Sequence, residues 1–336
     1  MRSGSRRQFE LSPAAVPVIS VGNLAMGGRG KTPLVAHLTR QLIDAGERPA
    51  ILSRGYRRRT PDDGVVIVSD GRHRLADLDR SGDEPLMLAR SVPGAAVLVS
   101  ESRTMSAALA ESILGCTVIV LDDGFQHRAM RRDVDVVIVT SGDLTDHRLP
   151  FGRLRSPVSD LSRADAVVMD GPWTEAGAVA LRAAISVDRT ALFSLSRAIG
   201  EAYLIEQPDV VLTKNMPVVA VAGIARPQRF TESLEASGWQ VARLLPFSDH
   251  HPYDREDLKR MAETLRGTGA AGIVTTEKDA VRLLPLRPLG MPVAAVPLVV
   301  DIATRAIGQP DADSEPLDTR NGFREWLLGR LRQVRA

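Results

Sequence analysis

The residues best suited to chemistry lie in a glycine-rich stretch that follows a short apolar run. Residues 16–33 read VPVISVGNLAMGGRGKTP, so a predicted strand ends at Val21 and a helix begins at Lys31 and Thr32. Backbone N–H groups of such a loop surround phosphate oxygens, and the helix N-terminus adds favourable partial charge. The Lys31 ammonium group would reach the β- and γ-phosphates, and the Thr32 hydroxyl would bind Mg²⁺.

The stretch departs from the G-x-x-x-x-G-K-[ST] pattern at one position, because Ala25 stands where the first glycine is expected. The later glycines still supply the backbone freedom that the loop needs. The alternative interpretation is a glycine-rich turn without a ligand. The predicted nucleotide-binding residues are Ala25, Met26, Gly27, Gly28, Arg29, Gly30, Lys31 and Thr32.

Two adjacent acids, Asp122 and Asp123, follow a second apolar run at residues 118–121. A magnesium–nucleotide site needs a carboxylate at the end of a neighbouring buried strand, and this pair supplies it. One acid would face the metal while the other orients another group; alternatively, both cap the next turn. The first interpretation predicts an enzyme that uses a Mg²⁺-bound nucleoside triphosphate.

Phosphoryl transfer to a hydroxyl also needs a base within hydrogen-bond reach. Three polar loops could supply one, although each is a weak signal by itself. They are DDGFQHR (122–128), SGDEP (81–85) and FSDHHPY (247–253).

The elements that must position these residues alternate along the chain. Continuous apolar runs separated by amphipathic stretches predict parallel strands buried on both faces, with ligands gathered at their carboxyl ends. The predicted strands are 17–21, 49–53, 96–100, 118–121, 134–140, 166–169, 218–222, 272–276 and 293–296. The predicted helices are 32–45, 85–91, 105–114, 176–184, 227–237 and 254–265.

Two segments fall outside this alternation. Residues 65–75 predict a β-hairpin turning at Asp70 and Gly71, and nearby arginines make it basic, so it is either a solvated hairpin or a lid over an anionic ligand. The C-terminal segment predicts an amphipathic helix that either docks on the domain or rests on an anionic membrane. The arginines are Arg57, Arg58, Arg59, Arg72 and Arg74; the apolar face of the helix comprises Phe323, Trp326, Leu327, Leu331 and Val334.

The overall prediction is an α/β protein with a P-loop NTPase-like, mostly parallel sheet flanked by helices. A second, smaller α/β domain and the basic β-hairpin near residues 57–75 complete it. We expect a P-loop domain at 1–150, the second domain at 151–310, and a linker with the C-terminal helix at 311–336.

Composition excludes several classes of protein. The 336 residues are 44% hydrophobic and 25% charged, which is typical of a globular chain and not of a disordered or fibrous one. The formal net charge of +2 and an aromatic content of 4% disfavour nucleic-acid binding. The single cysteine fits a reducing compartment, and no apolar run approaches a membrane span. These features predict a soluble, cytoplasmic protein that at most rests on a membrane surface.

Seven segments, in their order along the chain, resemble the tetraacyldisaccharide 4′-kinases, the lipid A 4′-kinases of Gram-negative bacteria. They are SVGNLAMGGRGKTP (20–33), LSRGYRR (52–58), GDEP (82–85), LDDGFQHRAMRRDVDVVIV (121–139), LPFGRLRSP (149–157), FSDHHPY (247–253) and TTEKDAVRL (275–283).

The resemblance implies a kinase that transfers the γ-phosphate of ATP to the 4′-hydroxyl of a tetraacyldisaccharide 1-phosphate, at the cytoplasmic face of the inner membrane. ATP and Mg²⁺ are the implied cofactors, the lipid and the membrane surface the partners, and Thr32 and Asp122 the metal ligands. Asp83 would be the base, tuned by His250, although the sequence leaves open whether His250 or His251 faces it. The remaining implied residues are Asp123 and Arg103 for catalysis and Arg155, His127 and Glu84 for substrate.

Two departures from the family pattern matter. Ser156 stands where the family usually has the glutamate of L-R-E-P, so any role of that acid is absent or supplied elsewhere. Only about twenty residues precede Gly22, whereas family members commonly carry a membrane helix there. Either membrane attachment uses other surfaces, or the start of the chain is truncated.

Two other functions remain open from the sequence. A regulatory or chaperone-type P-loop GTPase would select guanine with an Asn-Lys-x-Asp segment, and residues 276–279 read TEKD instead. A soluble small-molecule kinase would need no lipid-facing surface.

Overall fold

The computed structural model describes residues 14–27, 30–56, 58, 64–127, 129–186, 188–304 and 322–336. The strands in this part of the chain are β1 (Val18–Asn23), β2 (Pro49–Ser53), β3 (Val66–Asp70), β4 (Ala96–Val99), β5 (Val118–Asp122), β6 (Val134–Val139), β7 (Ala166–Asp170), β8 (Ala191–Ile199), β9 (Tyr203–Leu204), β10 (Val218–Ala222), β11 (Val241–Pro246), β12 (Gly272–Thr276), β13 (Val293–Val296) and β14 (Leu298–Thr304).

The helices alternate with these strands. They are α1 (Lys31–Asp44), α2 (Leu78–Ser81), α3 (Asp83–Ser91), α4 (Arg103–Ser112), α5 (Ser141–Leu144), α6 (Glu175–Ala184), α7 (Pro227–Ala236), α8 (Arg255–Thr268), α9 (Glu277–Leu283) and α10 (Gly322–Arg335), with 3-10 turns at Val158–Arg163 and Leu284–Leu286. No helix among the described residues has both the length and the apolar character needed to cross a bilayer.

The larger sheet has the strand order β14-β8-β7-β6-β1-β5-β2-β4-β3. Its inner strands are parallel, and the edge strands β3 and β14 run antiparallel to their neighbours. Every residue of β1, β5 and β6 is buried, because helices cover both faces of a parallel sheet. The carboxyl ends of these strands therefore meet at one edge of the sheet.

The smaller sheet has the order β11-β10-β12-β13-β9 and is parallel apart from β9. The predicted α/β class, with its P-loop sheet and a second sheet, is confirmed. The division between the sheets does not coincide with the predicted boundary at residue 150, because β7, β8 and β14 all belong to the larger sheet. The chain leaves that sheet after β8 and returns to it at β14.

The predicted basic hairpin takes a different form. Its first half is β3, an edge strand of the larger sheet that pairs with β4. After the turn at Asp70 and Gly71, Arg74 makes a single antiparallel bridge to Ser69, and within the described stretch 64–75 no second strand forms. The arginines Arg57 and Arg59 lie outside the described residues.

Helix α10 docks on the larger sheet through its apolar face. Phe323, Leu327 and Leu331 are buried, and the Phe323 ring meets the Phe193 ring edge-on with 5.0 Å between centroids. The docking interpretation of this helix is confirmed, since its apolar face is covered by protein. The linker predicted before it lies outside the described residues.

Candidate active site

The phosphate loop connects β1 to α1, as the sequence predicts. Gly27 and Gly30 both have positive φ, 101° and 74°, which glycine adopts without steric cost. A side chain at position 30 would collide with the guanidinium group of Arg197 on β8. Of the other predicted nucleotide-binding residues, Thr32 lies in the first turn of α1, whereas Gly28 and Arg29 lie outside the described residues.

The opening of the loop is fixed by a neighbouring segment. The Met26 amide donates to the Arg153 carbonyl at 2.8 Å, and Ala25 forms an antiparallel bridge with Leu154. The amide of Arg155 donates to the Leu24 carbonyl at 2.7 Å. Residues 153–155 of the family motif LPFGRLRSP thus line the opening of the nucleotide loop.

Lys31 is held by a cluster at the ends of β1 and β5. Its ammonium group donates to Asn23 Oδ1 at 3.0 Å and lies 3.3 Å from Asp123 Oδ1. Arg155 binds both oxygens of Asp123, at 2.8 and 2.9 Å, in the planar geometry that favours arginine–carboxylate pairs. Burial alone would raise the pKa of Asp123, but the hydrogen bonds from Arg155 and the charge of Lys31 lower it to about 2.

The neighbouring carboxylate, Asp122, has the opposite electrostatics. It ends β5 and is buried, and burial together with the charges of Glu84 and Asp123 raises its pKa to about 7. Glu84 begins α3 with Asp83, so α3 brings its acidic first turn close to the end of β5. A cation beside Asp122 would stabilise its ionised form.

Arg103 lies behind Asp122 at the start of α4. Its side chain is 2% exposed and donates to the Asp122 carbonyl at 2.8 Å. Its Nε and Nη1 atoms have no hydrogen-bond partner among the described residues, although a buried polar group normally has one. Burial lowers the pKa of Arg103, and burial followed by the charges of Arg103 and Arg54 lowers the pKa of His127. The positive charges of Arg103 and Arg54 therefore act on His127, and that of Arg103 also acts on Asp122.

Asp83 connects the two sheets. Its Oδ2 atom lies 2.8 Å from His250 Nδ1 and accepts hydrogen bonds from Nε and Nη2 of Arg282, at 3.1 and 2.5 Å. Burial would raise the pKa of Asp83, but the His250 hydrogen bond and the charges of Lys278 and Arg282 hold it well below its usual range. The histidine that faces Asp83 is therefore His250.

His251 makes a different contact. Its Nε2 atom lies 2.8 Å from Oδ2 of Asp257, which is in the first turn of α8. Glu84 also pairs across the sheets, because its carboxylate lies 2.7 Å from Lys278 Nζ. Ser156 is buried and its hydroxyl accepts from Gln126 at 3.3 Å, so it supplies no charge where the family has glutamate.

Two residues of the candidate site also have an unusual backbone conformation. Among the described residues, Asp123 and His250 are the non-glycine residues with positive φ, 55° and 59°. Such strained conformations concentrate at functional sites because the surrounding structure must hold them.

Three participants were missed in the sequence. Arg282 lies on α9 and also binds Asp279 Oδ1 at 2.9 Å and the Gly223 carbonyl at 3.0 Å. Asn23 lies in the glycine-rich stretch but has no role of its own in the sequence analysis, and Arg197 belongs to the unpredicted strand β8. The TTEKDAVRL motif contained a signal for Arg282, since it places Arg282 three residues after Asp279 on a short helix.

No cluster of three or more histidine, cysteine or acidic side chains suited to a metal occurs in the described part of the chain. Mg²⁺ in a nucleotide site usually binds through one or two carboxylates together with phosphates and water. Oxygen donors from Thr32 and Asp122 have the required hard character.

A P-loop at a parallel sheet, an acidic strand end beside it and a carboxylate–histidine pair contributed by two sheets define a phosphoryl-transfer enzyme of the P-loop class. The sequence model of the tetraacyldisaccharide-1-P 4′-kinase family matches residues 2–310. The chain belongs to this family, and the family prediction is confirmed.

Individual relatives agree. A tetraacyldisaccharide 4′-kinase of Desulfotalea psychrophila is 38% identical over 274 residues, covering 80% of this chain and 78% of the relative. One from Anaeromyxobacter sp. (strain Fw109-5) is 42% identical over 289 residues, covering 82% and 75%. The crystal structure of LpxK from Aquifex aeolicus in complex with ATP has a TM-score of 0.72 and 28% identity, covering 96% of this chain and 90% of that one.

Proposed function

We propose that this protein transfers the γ-phosphate of ATP to the 4′-hydroxyl of a tetraacyldisaccharide 1-phosphate. The observation that carries the proposal is the convergence of Lys31, Asp122 and Asp83 from three separate segments onto one edge of the larger sheet. The activity is that of a phosphotransferase with an alcohol acceptor, as the family name states.

The nucleotide would bind along the loop from Ala25 to Thr32. Backbone amides and the N-terminus of α1 favour phosphate, and Lys31 would turn from Asp123 towards the β- and γ-phosphates. The Aquifex aeolicus relative whose structure contains ATP supports ATP as the donor here.

Thr32 and Asp122 would hold Mg²⁺, whose charge offsets that of the β- and γ-phosphates. The Thr32 hydroxyl lies in the first turn of α1, and Asp122 lies at the buried end of β5. The negative charges of Glu84 and Asp123 raise the pKa of Asp122, and a bound cation would lower it and stabilise the ionised carboxylate.

Asp83 would orient the acceptor hydroxyl and take its proton, with His250 positioning the carboxylate. A strongly ionised aspartate suits kinase chemistry, in which positioning contributes more than strong basicity. The unpaired N–H groups of Arg103 would donate to the transferring phosphoryl group, where developing charge is stabilised. Arg155, His127 and Glu84 would contact the substrate, and Asp123 would hold Arg155 in place.

The acceptor is a lipid, so we place the enzyme at the membrane surface, on the cytoplasmic face of the inner membrane of a Gram-negative bacterium. ATP is available on that side. The GTPase alternative is disfavoured, because Lys278 and Asp279 of the TEKD segment form ion pairs with Glu84 and Arg282.

The test is an assay with ATP, Mg²⁺ and detergent-dispersed disaccharide 1-phosphate. We expect ATP-dependent formation of a bisphosphorylated disaccharide, with GTP much less effective. Absence of phosphate transfer, with the protein folded and ATP bound, would refute the proposal.

A further inference from the structure

The family motif LPFGRLRSP includes a loop that exposes its largest apolar side chains. Within residues 147–153, here called the LPF loop, Phe151 is 90% exposed and Leu149 is 50% exposed. Leu154, which directly follows, is 2% exposed and packs in the core below. Large apolar side chains exposed close together on the surface of a folded domain often mark a contact surface.

A hydrogen-bonded frame keeps these side chains outward. The amide of Leu149 donates to the Leu154 carbonyl and the amide of Leu154 donates to the His147 carbonyl, both at 3.0 Å. A Cβ atom at Gly152 would collide with the His147 carbonyl, so only glycine fits this turn. The loop is thus built to present Leu149 and Phe151 and to bury Leu154.

Basic side chains flank the apolar tip. Arg148 is exposed, and Arg153 is half-exposed with its Nε atom 2.9 Å from Asp146 Oδ2. That ion pair holds Arg153 beside the tip. Apolar side chains flanked by arginines are complementary to a bilayer with anionic headgroups. The apolar side chains can enter the acyl-chain region while the guanidinium groups bind the headgroup phosphates.

The loop is joined to the active site by main-chain hydrogen bonds. Arg153 accepts from the Met26 amide of the phosphate loop, and the Met26 side chain is itself 54% exposed. Two residues further on, Arg155 reaches Asp123. Whatever the tip contacts lies next to the mouth of the nucleotide site.

We propose that the LPF loop inserts Leu149 and Phe151 into the interface of an anionic lipid bilayer and thereby brings the active site to its lipid acceptor. The inference rests on the proposed function, because a kinase acting on a lipid headgroup must meet the membrane next to its catalytic residues. The buried face of α10 is unavailable for this contact.

The first test is flotation with vesicles of phosphatidylcholine containing roughly one third phosphatidylglycerol. We expect the double variant Leu149→Ser/Phe151→Ser to partition about a hundredfold more weakly than wild type, about tenfold for each side chain. The matched control is Ile113→Ser, at an exposed apolar residue (73%) beside α4, which should float like wild type.

The outcomes separate this inference from the proposed function. The double variant should keep wild-type kcat and KM with detergent-dispersed substrate, while losing activity on substrate embedded in vesicles. Equal flotation of wild type and variant would overturn the inference, as would a raised KM in detergent, which would mean that the loop contacts the substrate's own acyl chains. Lack of turnover by wild type in detergent would instead refute the proposed function, and flotation would still test the loop.

A second measurement does not depend on activity. The chain has one cysteine, the buried Cys116, so Cys116→Ala gives a background for labelling Phe151→Cys with an environment-sensitive nitrobenzoxadiazole dye. We expect a blue shift and brighter emission on anionic vesicles at position 151 and none at Ile113→Cys. Unchanged emission at position 151 would overturn the inference.

Discussion

Two carboxylates of the site have pKa values displaced in opposite directions. Burial and acidic neighbours raise the pKa of Asp122 to about 7, whereas His250, Lys278 and Arg282 outweigh burial and hold the pKa of Asp83 well below its usual range. Environments that separate two acids in this way assign them different roles. Asp122, which has negatively charged neighbours, is suited to bind a cation. Asp83, which is surrounded by hydrogen-bond donors, is suited to bind a substrate hydroxyl.

Replacing Asp83 should separate turnover from nucleotide binding. Asp83→Asn keeps the shape of the side chain but removes the proton acceptor, so we expect kcat to fall by about 10²–10⁴. Affinity for a fluorescent ATP analogue should stay within a few-fold of wild type.

Lys31→Ala serves as the comparison, because it removes the cation predicted to bind the phosphates. It should lose nucleotide affinity and turnover together. If Asp83→Asn lost both in the same way, Asp83 would belong to the nucleotide site and not to the acceptor site.

Asp83 should also contribute to stability in a pH-dependent manner. Its folded pKa is depressed, so its stabilising effect is complete above the unfolded value of about 4 and is lost as pH falls through the folded value. At neutral pH we expect Asp83→Asn to lower the free energy of unfolding by about 1.5–3 kcal/mol, since Arg282 loses one of its two carboxylate partners and keeps Asp279.

Urea unfolding at a series of pH values checks this prediction. The gap between wild type and Asp83→Asn should narrow below about pH 4. Glu325→Gln, at an exposed acid of α10, is the control and should change stability little at any pH. A gap that stays constant into acid would contradict the depressed pKa.

Among the elements, α10 offers a direct test of its docked position. Phe323 is fully buried against Phe193, so Phe323→Ala should destabilise the protein by about 3–5 kcal/mol. Arg332→Ala, at an exposed position of the same helix, should change stability by less than about 0.5 kcal/mol.

Thermal or urea unfolding measures both variants. Vesicle flotation of Phe323→Ala should match wild type under conditions where it is folded. A Phe323→Ala protein of normal stability that no longer floats would show that α10 is the membrane contact.

The strands that could be predicted are those buried on both faces. β1, β5 and β10 read as continuous apolar runs, and each was found in the sequence. Strands β8 and β14 pair with each other at one end of the larger sheet and leave part of their residues exposed, and β11 exposes Arg243. None of the three therefore reads as a continuous apolar run. Period-two alternation at residues 191–195 of β8 would have revealed a half-buried strand.

The candidate site shows the same limit. Local sequence patterns identified Lys31, which begins α1 directly after a glycine, and Asp122, which ends β5 directly before a second acid. The contact between Asp83 and Arg282 joins residues 199 positions apart, and no local pattern encodes it. Which of the adjacent histidines faces Asp83 depends on a left-handed backbone at His250, which is a consequence of tertiary packing.

In the whole molecule, the two sheets meet at the site. α3 of the first sheet contacts α9 of the second through Asp83 with Arg282 and through Glu84 with Lys278. The chain passes from the larger sheet to the smaller one after β8 and returns to the larger sheet at β14. The contacts of Asp83 with His250 and Arg282 therefore exist only while the two sheets are packed together.

The most direct test of this account is a crystal structure with a non-hydrolysable ATP analogue and Mg²⁺. We expect the terminal phosphate between Lys31 and Arg103, the metal on Asp122 and Thr32, and Asp83 facing the open side of that phosphate. A triphosphate seated away from this edge, or one whose terminal phosphate points away from Asp83, would contradict it.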